Sequence, residues 1–191
     1  MADRRRMYKL RKLSKFLSLL LRHRPARFPI EMDAAGYAEL DEVLHILNGL
    51  PNFRWATRDD VQAVVDAPGQ RKRFELAEGR IRALYGHTAL RPTYEPVTPP
   101  ERLYHGTAPG NLDAIRREGL QSMQRQYVHL AHTPEGALGI GRRHARDPVL
   151  LHIAAAEAHA AGFAFYHPVK EIYLVEQMPP QYIEAQERSE A

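Results

Sequence analysis

Apolar residues recur at helical spacing near the start of the chain. Leu10, Leu13, Phe16, Leu17 and Leu20 share one face, and Pro25 is expected to end that helix. A second helix is read around Leu40 to Leu47, closed by Gly49-Leu50-Pro51. Thr57 caps a third, with Asp59 and Asp60 in its first turn and Val61, Val64 and Val65 on one face. Two extended segments follow, Arg73 to Ala77 and Arg80 to Leu84, and Glu78-Gly79 reads as the hairpin turn between them.

Three helices followed by a hairpin is the element order of a winged helix, a module that binds nucleic acid or mediates protein contacts. The segment from Arg91 to Pro100 holds four prolines, which suit an extended linker and neither a helix nor an interior strand. Beyond it, Leu103-Tyr104-His105 reads as a strand and Asn111 to Glu118 as a helix stopped by Gly119. Tyr127 to Ala131, Val149 to Ile153 and Ile172 to Val175 read as strands, and Pro134 to His144 as a short helix. The expected fold class is α+β, with a first domain over residues 1–92, a linker over 93–100 and a mixed α/β domain over 101–191. Neither Gly-x-Gly-x-x-Gly nor a P-loop is present, which argues against Rossmann and Walker nucleotide sites.

Charge separates the two halves. Residues 1–95 carry 18 Lys+Arg against 12 Asp+Glu, whereas residues 96–191 carry 9 against 11. Ten basic groups and one acid, Asp3, fall in the first 30 residues, which suggests a polyanion gripped at one end. Seven of the ten histidines lie after residue 95, so chemistry of another kind is expected there. The chain has no cysteine, which removes disulfides, thiol catalysis and thiolate metal sites. Mean hydropathy is −0.48 and the apolar runs are short, so the expectation is a soluble, cytoplasmic protein without a membrane span or signal peptide.

Several clusters could carry chemistry. Arg22-His23 closes the first helix and could hold a phosphate, or complement the negative end of the helix dipole. Arg71-Lys72-Arg73 opens the hairpin, with Arg71 and Arg73 on one side and Phe74 on the other. Arg142-Arg143-His144 is read as closing a helix in the second domain. The string Tyr104-His105-Gly106-Thr107 sets an imidazole, a bare backbone and a hydroxyl together, and the glycine would let a ligand approach the main chain. Arg125 and His129 are four apart at the next strand and are expected on one face. His129 and His132 should point to opposite faces with no acidic or Cys partner nearby, so no metal is expected.

Taken in order, seven strings resemble the RNA 2′-phosphotransferase family, which removes the splice-junction 2′-phosphate from tRNA using NAD. They are Leu-Ser-x-x-Leu-Ser-x-x-Leu-Arg-His-x-Pro at 13–25, Lys-Arg-Phe at 72–74, and Ile81-Arg82-Ala83 with Gly86-His87. Tyr104-His-Gly-Thr107, Gly119-Leu-x-x-Met-x-Arg-x-x-Val-His-Leu130, Gly-x-Arg-His at 141–144 and Pro179-Pro-x-Tyr-Ile183 complete the series. The resemblance implies a winged-helix RNA lobe followed by an NAD-binding lobe with the ADP-ribosyltransferase fold. The family's essential Arg-His-Arg-Arg set falls on Arg22, His23, Arg73 and Arg143, which would converge on one phosphate between the lobes. His105, Gly106 and Thr107 would hold the adenosine side of NAD, with Arg125 and His129 lining the same cleft.

The implied reaction has two steps. The RNA 2′-phosphate attacks the nicotinamide ribose of NAD, and the ribose 2-hydroxyl then attacks phosphorus to release 2′-OH RNA and ADP-ribose 1″,2″-cyclic phosphate. Arg73 and Arg143 would serve the second step, Arg22 would bind the phosphate, and His23 would contact it or move a proton. The chain departs from the family's Asn-Gln-Gly-His-Ser, having Leu84-Tyr85-Gly86-His87-Thr88. It also has Ala131 where a serine is usual, and Arg146-Asp147 where Gly-Lys is common. Two alternatives remain at this level: an enzyme of the same fold that leaves ADP-ribose on a nucleic-acid phosphate end, and a winged-helix DNA-binding regulator whose second domain senses a nucleotide. The expected partner is RNA bearing a 2′-phosphate, most simply tRNA, acted on by a monomer.

Overall fold

The computed structural model describes residues 2–23, 27–67, 72–89 and 93–186, and the chain divides into two compact units, Met1–Thr93 and Tyr94–Ala191. It is a mixed α/β protein of short helices and antiparallel sheets. Pro25, Arg71 and Arg91-Pro92, each used in the sequence argument, lie outside the described residues.

In the first unit, α1 (Ala2–Ser18) runs into a wider π-type turn at Leu19–His23, and α2 (Leu40–Gly49) and α3 (Arg58–Val65) follow. Thr57 does cap α3: its hydroxyl accepts from the Asp60 amide at 3.3 Å and the Asp60 carboxylate accepts from the Thr57 amide at 3.1 Å. Strands β1 (Tyr37–Glu39), β2 (Phe74–Ala77) and β3 (Arg80–Ala83) form an antiparallel sheet in the order β1-β3-β2. The turn between β2 and β3 has φ of 51° at Glu78 and 78° at Gly79. Two consecutive left-handed residues match the right-handed strand twist, which is why a glycine is favoured there. Leu13, Leu17 and Leu20 pack with Val43, Leu47, Val61, Phe74 and Ile81 in a single core. Across the sheet, the Tyr37 hydroxyl donates to Glu75 Oε2 at 2.6 Å and Arg82 pairs with the same oxygen at 2.7 Å.

The second unit holds β4 (Pro96–Val97), β5 (Arg102–Thr107), α4 (Leu112–Glu118), β6 (Leu120–Gln121), β7 (Val128–Ala131) and α5 (Pro134–Gly141). It continues with β8 (Val149–Ala154), α6 (Ala155–Ala160), β9 (Phe165–Val169), β10 (Ile172–Val175), β11 (Gln177–Met178) and β12 (Ile183–Ala185). Seven strands form one antiparallel sheet in the order β12-β8-β5-β7-β10-β9-β4, and β6 pairs separately with β11. The proline-rich stretch therefore contributes a two-residue strand at the sheet edge, where a missing amide donor is tolerated. One sheet face buries Leu103, Val128, Leu130, Leu151 and Ile153, and the other sets Tyr104, Ala131 and Leu150 against Ala137 and Leu138 of α5.

Two boundaries differ from the sequence reading. α5 stops at Gly141 rather than His144, because its bonding tightens to three-residue steps at Arg143 and His144. Arg125 precedes β7 in a turn whose amide reaches the Ser122 carbonyl at 3.0 Å, so the spacing of four to His129 does not place the two on one strand face. Among the described residues no helix is long and apolar enough to cross a membrane.

Candidate active site

In the first unit the π-type turn sets the chemistry. A wider turn changes the angular phase of the residues that follow, so Leu20 and Leu21 are both buried while Arg22 is half-buried and His23 exposed. Arg22 donates from Nη2 to the Arg73 carbonyl at 3.0 Å. Its guanidinium lies 5.4 Å from the Phe74 ring centre and 4.9 Å from that of Tyr85. The segment after β3 then folds over the same turn. Thr88 and Ala89 donate their amides to the Arg22 carbonyl at 3.0 and 3.3 Å, and His23 Nδ1 shares a 3.0 Å hydrogen bond with Thr88 Oγ1. Arg73 reaches the Ser14 hydroxyl at 3.4 Å. Arg22, His23 and Arg73 are thus tied through one another's main chain and through Thr88, an arrangement suited to an anion with several oxygens.

His87 adjoins this group and is 3% exposed. Burial, followed by the charges of Arg22, His23 and Arg82, pushes its pKa down to about 4. It is neutral at pH 7, so positive charge stays on the arginines.

In the second unit β5 pairs with β8 at six positions but with β7 only at Tyr104↔Ala131. Past Tyr104, the β7-facing edge of His105, Gly106 and Thr107 has no ladder partner among the described residues. His105 bridges part of the gap, its Nδ1 lying 3.0 Å from the His129 carbonyl. A carbonyl only accepts, so Nδ1 carries the proton, and burial holds the pKa of this ring below the usual histidine value, further lowered by His144 and opposed by the hydrogen bond to His129. The neutral ring keeps an acceptor at Nε2. His129 Nδ1 is placed in the same way, 3.1 Å from the Tyr127 carbonyl. The Thr107 hydroxyl accepts from Asn111 Nδ2 at 3.2 Å and retains its own proton to donate.

Gly106 works differently from the sequence expectation. A side chain there would overlap the Ala137 carbonyl of α5, so the space is filled by the helix and not left for a ligand. Arg125 and Arg143 are exposed, each in a turn. No group of three or more metal-capable side chains gathers among the described residues.

The model of the family described as RNA 2′-phosphotransferase, Tpt1 / KptA family, matches residues 8–177. The chain belongs to this family. It is 38% identical over 173 residues to a "Probable RNA 2′-phosphotransferase" of Acetivibrio thermocellus, covering 90% of this chain and 94% of that protein. A "Probable RNA 2′-phosphotransferase 2" of Archaeoglobus fulgidus is 42% identical over 178 residues, covering 91% and 79%. A Pseudomonas aeruginosa relative, also a "Probable RNA 2′-phosphotransferase", is 41% identical over 174 residues, covering 89% and 93%.

RNA 2′-phosphotransferases are transferases, and the residues expected here for their chemistry fall into two groups. The structure brings Arg22, His23 and Arg73 together in the first unit, and His105, Gly106, Thr107 and His129 together in the second. Arg125 and Arg143 belong to the second unit, and both are exposed. Sequence reasoning gave no role to Tyr85, which stacks on Arg22, or to Thr88, which holds His23. The available signal was position 88 itself, where the RNA 2′-phosphotransferase pattern has serine and this chain keeps a hydroxyl. Ala131, the other departure, is 2% exposed under α5.

Proposed function

We propose that this chain removes an internal 2′-phosphate from RNA with NAD as co-substrate. The observation that carries the reading is the anchoring of Arg22 and His23 by the Tyr85–Ala89 segment, with Arg22 bonded to the Arg73 carbonyl, in a chain of the RNA 2′-phosphotransferase family. In this reading residues 1–92 are a winged-helix RNA lobe, 93–100 a linker and 101–191 an ADP-ribosyltransferase-like lobe. The three helices followed by a hairpin support the first assignment. The β7-side edge at His105–Thr107 supports the last, because main-chain groups without a ladder partner among the described residues, a neutral imidazole acceptor and a hydroxyl donor fit a nucleotide that hydrogen-bonds along a strand. His105, Gly106, Thr107, Arg125 and His129 would hold NAD, which supplies an electrophilic ribose carbon and nicotinamide as leaving group.

The chain's own residues then act on the phosphate. Arg22 binds it, and His23, whose ring is fixed through Nδ1, presents Nε2 to contact it or move a proton. The RNA 2′-phosphate displaces nicotinamide in the first step, which is chiefly a matter of alignment. In the second, the ribose 2-hydroxyl attacks phosphorus. The RNA 2′-oxygen leaves and takes up a proton, giving 2′-OH RNA and ADP-ribose 1″,2″-cyclic phosphate. Arg73 and Arg143 stabilise the charge on the phosphoryl oxygens in that step. The expected substrate is a tRNA splice junction, and the expected working form a cytoplasmic monomer.

The test is incubation of an oligonucleotide carrying one internal 2′-phosphate, with and without NAD, with both RNA and nucleotide products resolved. NAD-dependent 2′-OH RNA and ADP-ribose cyclic phosphate are expected. Persistent ADP-ribosylated RNA would show an enzyme that stops after the first step, and two unchanged substrates would overturn the assignment.

A further inference from the structure

The solvent-facing side of α1 is a second basic feature, separate from the Arg22–His23 group. Between residues 4 and 18 the chain has seven Lys and Arg and no acid. Arg4, Tyr8, Arg11 and Lys15 fall at helical spacing of four, three and four, and all are exposed, with Lys12 beside them. Tyr8 is 60% exposed and the Lys12 ammonium sits 4.8 Å from its ring centre.

Two observations set this stripe apart from an ordinary solvated face. Elsewhere in the same unit three arginines pair with acids: Arg58 with Asp41 at 2.5 Å, Arg80 with Asp33 at 3.1 Å and Arg82 with Glu75 at 2.7 Å. None of the seven cations on α1 forms an ion pair among the described residues. The helix also places like charges four residues apart, as in Arg5–Lys9 and Arg11–Lys15, a repulsion that a polyanion lying against it would relieve.

We propose that the stripe of Arg4, Tyr8, Arg11 and Lys15 is a binding surface for the RNA backbone flanking the phosphate that the site removes. This rests on the RNA 2′-phosphotransferase reading and extends it along the same helix. Arg4 to Lys15 spans about 16 Å of helix axis, and Lys15 to Arg22 about 10 Å more, so several nucleotides are within reach. The three cations neutralise phosphates, and Tyr8 offers a face on which one base can stack. A membrane surface fits less well. Leu10, Leu13 and Leu17, the apolar side of α1, are packed in the unit's own core, which among the described residues leaves only Met7 and Tyr8 as large apolar side chains exposed on the helix, too little apolar surface for an interfacial anchor.

The experiment uses the full chain and a long unmodified single-stranded RNA, without a 2′-phosphate or NAD, and measures affinity across a salt series. Each phosphate contact contributes about 0.7 to the slope of log affinity against log salt. The triple variant Arg4→Gln, Arg11→Gln, Lys15→Gln should lower the slope by about 2, a roughly hundredfold loss of affinity at ~0.1 M salt. The charge-conserving triple Arg4→Lys, Arg11→Lys, Lys15→Arg should keep the parent slope, and circular dichroism should show both variants folded. An unchanged slope in the glutamine variant would overturn the inference. So would binding to phosphatidylserine vesicles that the glutamine variant loses while its RNA slope is unaltered. Because the assay needs no turnover, failure of the proposed reaction and failure of this surface read out separately.

Discussion

His87 gives a sharp test of the electrostatics around Arg22 and His23. Its pKa lies at about 4 against an ordinary 6.5, through burial first and then through Arg22, His23 and Arg82. As pH falls through 6.5 the unfolded chain takes up a proton at this ring, and the folded chain does not until about 4. Between those values the unfolded state binds more protons, so stability falls as pH falls. A depression of this size, at about 1.4 kcal/mol per pH unit, amounts to about 3 kcal/mol across the window, and a side chain 3% exposed has little solvent to screen it. His87→Gln removes the titration while keeping a polar side chain of similar reach. Urea unfolding of both proteins at a series of pH values from 7 to 4 isolates the effect, because other titrating groups are common to both. The parent is expected to lose about 3 kcal/mol more than the variant over that interval. Stability curves that run parallel would refute the burial and charge argument for this histidine.

Other consequences follow from the same geometry. Thr88→Val removes the 3.0 Å bond that fixes the His23 ring and should lower kcat roughly five- to tenfold, with Thr88→Ser restoring most of it; equal activity in both would show that His23 is held in another way. Gly106→Ala forces a side chain into the Ala137 carbonyl and should destabilise the second unit by about 3 kcal/mol, seen as a lower Tm; an unchanged Tm would mean that α5 can shift away from β5.

Features that depend on local sequence were legible before the structure. The leucine stripe of α1, the Thr57 cap and the Glu78-Gly79 turn each rest on residues within a few positions of one another, where spacing and backbone preference decide the outcome. Elements whose cause is tertiary were not. β1 has three residues and no alternation to read, and exists because β3 offers it an edge. β9 contains Pro168, which argues against a strand; it lies where β4 no longer pairs and where the ladder to β10 shifts register between Tyr166 and Val169. The site divides along the same line. The strings holding Arg22-His23 and Arg73 could be recognised, whereas their mutual anchoring joins positions 51 and 65 residues apart, and no local pattern announces it. Gly106 shows the converse: a glycine beside a histidine and a threonine reads as a place for a ligand, and only the structure adds that a side chain there would meet the Ala137 carbonyl of α5.

The two-step account is tested most directly by following Arg143→Ala through one turnover of a 2′-phosphorylated RNA with NAD. Arg143 is exposed, so its loss should leave the fold intact and remove charge stabilisation from the second step alone. Nicotinamide release should match the RNA consumed while 2′-phospho-ADP-ribosyl RNA accumulates and 2′-OH RNA stays absent. Release of 2′-OH RNA at the parent rate, with no intermediate, would contradict the assignment.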